Sequence, residues 1–184
     1  MTSASSPVAT GPRVVYVGIS GVLHPSRSLY RLLNSREPED DGHCEFEGVP
    51  ILEAALAQWP DVRLVLTSTL PWKHGLPQTL EWLGPTLAER VDGFTFEDLT
   101  IKARRGPRQR PMSEEDYWRC NKSDIVRAHV KWLHPSAWVA VDDESILWTE
   151  DERQNHLVAV DGTTGLLDAA VKDRLWTVLR ANFD

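Results

Sequence analysis

Apolar positions along the chain fall into two alternating kinds of stretch. Four stretches are short, β-branched and almost continuously apolar: Arg13–Gly18 (RVVYVG), Val62–Thr67 (VRLVLT), Ala137–Val141 (AWVAV) and His156–Val160 (HLVAV). A strand covered on both faces reads this way, as in a parallel sheet. Between them the apolar residues recur at helical spacing. Val49–Trp59 carries Ile51, Leu52, Ala55, Leu56 and Trp59; Lys122–Leu133 carries Ile125, Val126, His129, Val130 and Leu133; Leu166–Leu179 carries Leu167, Ala170, Val171, Leu175 and Val178. These spacings put one apolar stripe on each helix. Asn121, with Asp124 three residues on, predicts a capped helix start, and Pro77 predicts a helix start or kink within Leu70–Leu83. Strand–helix alternation of this kind predicts a doubly wound α/β domain.

Two polar segments interrupt the alternation, one at about 26–48 and one at about 92–111, the latter with a possible fifth strand near Gly93–Phe96. Residues 13–184 are read as a single domain, which the length of 184 residues fits. The opening MTSASSPVATGPR has no apolar core. It reads as a disordered lead-in over 1–12 rather than as a signal peptide. No run of about 18 apolar residues suggests a membrane span. Two cysteines, Cys44 and Cys120, provide no disulfide framework, and a reducing cytoplasm is the simplest setting. The formal charge of −7 argues against a general nucleic-acid binder. One local exception is IKARRGPRQRP, which holds Lys102, Arg104, Arg105, Arg108 and Arg110. Such a run is either a solvated loop or a cap-like loop that closes over a polyanion such as RNA or a nucleotide. The eight tryptophans are read as core or half-buried packing, with base stacking as the alternative.

In an open parallel sheet, ligands bind beyond the carboxyl ends of the strands. After the first strand comes GISGVLHP, residues 18–25; after the second come Thr67, Ser68 and Thr69; Lys122 opens a helix; Asp142 and Asp143 follow the third of the apolar runs. Hydroxyls and an ammonium suit phosphate oxygens, and hard carboxylates suit Mg²⁺. Each residue also has a local reading. Gly18 can be a close-approach position, Ser20 a turn cap, Thr67 and Ser68 caps of the next helix, and Asp142 and Asp143 caps of a helix over DESILW. His24 is read as structural.

The order of these groups resembles the four motifs of the haloacid dehalogenase (HAD) superfamily over nearly the whole chain. LVLTS is similar to the second motif, with Thr67 or Ser68 as phosphate contact. NKSD is similar to the third, with Lys122, and VAVDD to the fourth, with Asp142 and Asp143. GVLHP and the later DGTTGLL are similar to a small-cap subgroup associated with RNA-repair proteins. The resemblance implies a three-layer Rossmannoid fold with a mainly parallel sheet and minimal cap insertions. It also implies Mg²⁺ at Asp142 and Asp143 and phosphate at Thr67, Ser68 and Lys122.

The first motif departs from the family. Its nucleophilic aspartate aligns with Gly18 and its general acid/base aspartate with Ser20. Gly18 has no side chain to attack phosphorus, and a serine hydroxyl is a poor general acid or base at neutral pH. Asp142, Asp143 and Lys122 together carry −1, where the complete family set would carry −3. Weak Mg²⁺ binding and metal-independent anion binding are the expectations. Three functional readings follow: a non-catalytic HAD-fold protein that binds a phosphorylated ligand or partner; a hydrolase in which Asp142 and Asp143 hold Mg²⁺ and activate water directly; and an RNA-associated module working through the basic run.

Overall fold

A computed structural model describes residues 11–24, 46–95 and 119–184. The segments expected to form most of the lead-in and the two inserts, including Lys102, Arg104, Arg105, Arg108 and Arg110, lie outside the described residues. The described strands are β1 (Arg13–Val17), β2 (Arg63–Leu66), β3 (Val91–Phe94), β4 (Ala137–Asp142) and β5 (Leu157–Ala159). They form one sheet in the order β3-β2-β1-β4-β5, and all four pairings are parallel. Each expected strand is present; β3 starts two residues before the expected position. Pro12, just ahead of β1, accepts a hydrogen bond through its carbonyl from Ser136 N–H at 3.0 Å.

The helices are α1 (Val49–Leu56), α2 (Leu70–His74), α3 (Leu76–Ala88), α4 (Lys122–Leu133), α5 (Glu150–Asn155) and α6 (Ala169–Phe183). Helix α1 stops before Trp59, whose backbone is biased away from helix by the following Pro60. The Leu70–Leu83 stretch divides at Gly75, which takes φ +81 and places Pro77 in the first turn of α3, where its missing N–H costs nothing. The expected helix Leu166–Leu179 is a 3₁₀ turn (Gly165–Leu167) followed by α6. Asp168 separates the two, accepting from Val171 N–H at 3.0 Å as an N-cap. Buried Phe183 carries α6 four residues past the expected end. No helix forms over DESILW; a turn stands there instead.

Strand alternation sorts the core onto two faces. Val15 and Val17, Leu64 and Leu66, and Val139 and Val141 pack against α1, α3 and α6 through Leu52, Leu56, Leu83, Leu87, Leu175 and Leu179. Val14, Tyr16, Val65 and Ala140 face the other way, onto Val126 of α4 and onto Trp148. The second face is smaller and partly polar. The Tyr16 hydroxyl and His129 Nδ1 lie 3.0 Å apart there, out of contact with water. Helices on both faces leave the carboxyl edges of β1, β2 and β4 as the place where adjoining strand ends bring polar groups together.

Candidate functional site

Three of the expected site residues converge at that edge. The Thr67 N–H donates to Val17 O at 3.0 Å and the Gly18 N–H to Val141 O at 3.0 Å, so the sheet's own ladder continues one residue past each strand. This pins Gly18 and Thr67 beside the last residue of β4, Asp142. The buried Thr67 hydroxyl donates to Asp142 Oδ2 at 3.1 Å. Lys122, the first residue of α4, donates from Nζ to the Thr67 carbonyl. Asn121 caps the helix by accepting from Asp124 N–H at 3.0 Å, as expected.

Glu144 ties these parts together, a role with no counterpart in the expectations. Its N–H donates to Asp142 Oδ1 at 3.0 Å, and its own Oε1 accepts the Lys122 N–H at 2.9 Å. The carboxylate of Asp142 is therefore held at both oxygens. Burial pushes its pKa up to about 6, opposed by the Lys122 charge and by the donated hydrogen bonds and assisted by neighbouring Asp143.

The remaining expected residues divide by position. The Ser68 hydroxyl accepts the Leu70 N–H at 3.2 Å from one residue ahead of Thr69, the N-cap of α2. Ser20 is exposed on the turn after β1, and Asp143 is exposed beyond β4. Asp142 does not cap a helix, because the chain leaves it in a turn. His24 is buried and meets Phe46 edge-on at 4.7 Å between ring centroids, in line with a structural role.

Gly18 has little room for a side chain. A Cβ built there would lie 2.9 Å from Val22 Cγ2 and 3.1 Å from Asp142 Oδ2. Both are side-chain atoms, so a Cβ at 18 requires the Val22 methyl group and the Asp142 carboxylate to shift slightly. The turn carrying Val22 is held by three N–H groups, those of Val22, Leu23 and His24, all donating to Ile19 O. It is also held from outside by the DGTTG segment. There Leu166 N–H donates to Val22 O at 3.0 Å, and Gly165, at φ +53, lies so close to that carbonyl that any Cβ would collide with it.

The donor set fits a resident Mg²⁺ poorly. Mg²⁺ asks for an octahedron of hard oxygens, usually one or two carboxylates plus phosphate and water. Here residue 18 is a glycine and offers no oxygen from a side chain, Lys122 stands close enough to offset the charge of Asp142, and Asp143 faces solvent. Among the described residues, no group of three or more His, Cys, Asp or Glu is placed to hold a metal ion. No helix among them is long and apolar enough to cross a membrane.

No curated protein and no solved structure matches the chain. A family model does match, over residues 14–171, described as the HAD domain in Swiss Army Knife RNA repair proteins. The match runs from the second residue of β1 into α6 and includes every residue of the cluster. The chain belongs to this family of HAD domains.

Proposed function

We propose that this chain is a non-catalytic HAD domain that holds a phosphorylated ligand at the carboxyl edge of its sheet without transferring the phosphoryl group. The observation that carries this reading is the state of position 18. Residue 18 has no side chain to attack phosphorus, and Val22 and Asp142 close around its α-carbon. With the second carboxylate also replaced, by exposed Ser20, neither the attack nor the protonation of a leaving group has a residue to perform it. Lys122 and neighbouring backbone supply the positive and donor character that a phosphate needs, with the Thr67 hydroxyl joining them once it turns away from Asp142.

A direct test has two arms. Titration calorimetry with inorganic phosphate should give binding that survives EDTA and falls at least tenfold in Lys122→Met. Strict dependence on Mg²⁺ would count against the reading. In the second arm, the parent protein should not hydrolyse p-nitrophenyl phosphate with Mg²⁺ present. Turnover that disappears in Asp142→Asn would instead establish the metal-assisted hydrolase, with Asp142 and Asp143 as its ligands. The variant Gly18→Asp/Ser20→Asp should regain little activity alone, because of the crowding at Val22. It should regain more when Val22→Ala is added.

The family's setting in RNA repair proteins supports nucleic acid as a source of the phosphate. Lys102, Arg104, Arg105, Arg108 and Arg110 would then contribute salt-dependent affinity for the polyanion. A cytoplasmic location goes with that reading.

A further inference from the structure

We infer that the turn after β4 carries a shelf, Ile146 and Leu147, for the flat apolar part of the ligand whose phosphate the Asp142 cluster receives, so that the ligand is of nucleoside-monophosphate type. This rests on the phosphate-binding reading above and adds the half of the ligand that the cluster does not address.

Ile146 and Leu147 are 66% and 61% exposed, and they are the large hydrophobic residues standing in water among the described residues. Their side chains contribute almost nothing to the core. Leu147 moreover sits at φ +64, a left-handed conformation that costs a residue with a Cβ about 1–2 kcal/mol and that Gly or Asn would adopt more easily. A leucine there adds strain without the compensation of burial. Folding stability alone gives no reason for it, and strained residues of this kind concentrate where ligands are held.

The turn is also fixed in place. The Leu147 carbonyl accepts from Arg127 Nη2 at 2.9 Å and from Ser123 Oγ at 3.2 Å. The Trp148 indole donates to Glu144 O at 2.9 Å. Arg127 is clamped in turn by Glu152, through Nε at 2.8 Å and Nη2 at 2.5 Å. Glu144, at the start of the turn, is the residue that joins Asp142 to Lys122. One hydrogen-bonded frame therefore sets the position of both the cluster and the shelf.

Size chooses the occupant. Leu147 is five residues from Asp142, so even an extended chain would separate them by at most roughly 17 Å, the scale of one nucleotide. Two side chains fall far short of the roughly 800 Å² per partner of a stable protein interface, but they cover one face of a base.

The test compares inorganic phosphate, ribose 5-phosphate and AMP by calorimetry, on the parent and on Ile146→Ser/Leu147→Gly. AMP should bind the parent about tenfold tighter than ribose 5-phosphate. The variant should lose that preference, keep its affinity for inorganic phosphate, and melt at the same or a higher temperature because the left-handed strain is gone. Equal affinity for AMP and ribose 5-phosphate would overturn the shelf and leave the phosphate site standing. A preference that persists in the variant would also overturn it. A melting temperature several degrees lower would make Leu147 structural and overturn it too. No binding of any of the three compounds would remove the phosphate site itself.

Discussion

Strands β1 and β4 are neighbours in the sheet, and the loops that follow them are built on opposite principles. The loop after β1, residues 18–24, is an apolar plug. Gly18, Ile19, Gly21, Val22, Leu23 and His24 are buried, and the turn is held by backbone hydrogen bonds to Ile19 O and by the close approach of Gly165. The loop after β4 is held largely by charged side chains, Glu144, Arg127 and Glu152, with help from the Ser123 hydroxyl and the Trp148 indole, and it turns Ile146 and Leu147 outward while Trp148 is buried. The difference separates architecture from chemistry. A loop fixed by its own backbone needs no carboxylate to keep its shape, whereas a loop fixed largely by ionised groups depends on them.

If the β1 loop is a packed plug, its weakest point is steric. Gly165→Val should give the largest loss of stability, about 3–5 kcal/mol, from the left-handed φ and the collision with Val22 O. Urea unfolding measures it. A loss under about 1 kcal/mol would mean that the DGTTG segment does not hold the turn and would break the comparison.

The smaller face of the sheet, which holds His129, should be the acid-sensitive part. Burial lowers the pKa of His129 from 6.5 to about 4. The folded protein keeps this imidazole neutral while the unfolded chain protonates it near 6.5. The associated stability is complete above that pH and is lost as pH falls through about 4. The total loss is about 3 kcal/mol. Urea midpoints taken from pH 7 to pH 4 should fall in the parent and flatten in His129→Gln. A parallel decline in both proteins would place the acid sensitivity elsewhere.

Much of this layout was legible in the residues. The continuous apolar runs located the strands because a strand buried on both faces has no polar side to obscure it. Helix α4 was readable at both ends because Asn121 provides a side-chain cap and the apolar stripe is regular. Helix α5 was missed because it buries nothing and so has no apolar period. Its signal was chemical, the capping box in which the Thr149 side chain accepts from Glu152 N–H at 3.2 Å and Glu152 answers at the Thr149 N–H at 2.9 Å. That Thr67, Lys122 and Asp142 meet at one sheet edge was legible because side-chain identity in a fixed order carries the information. Val22 against Gly18, Glu144 between Lys122 and Asp142, and the φ of Leu147 were not. Each depends on where the chain goes after it leaves a strand, and a turn of irregular backbone leaves no period to read.

The smallest expected effect is the sharpest probe of the β4 loop. Bonding to Arg127 lowers the pKa of Glu152 from 4.5 to about 2. The ionised form is favoured in the fold, so the contribution is present above pH 4.5 and disappears as pH falls through about 2. Because Arg127 is half exposed, solvent screens the pair, and Arg127→Met should cost only about 1 kcal/mol globally. Its local effect should be larger. Amide hydrogen exchange at residues 144–148 should accelerate in Arg127→Met while residues 18–24 remain protected, because their hydrogen bonds are backbone to backbone and Arg127 is not among their partners. Acceleration in both loops together would mean that they open as one unit, and their contrast would then lie in composition and not in stability.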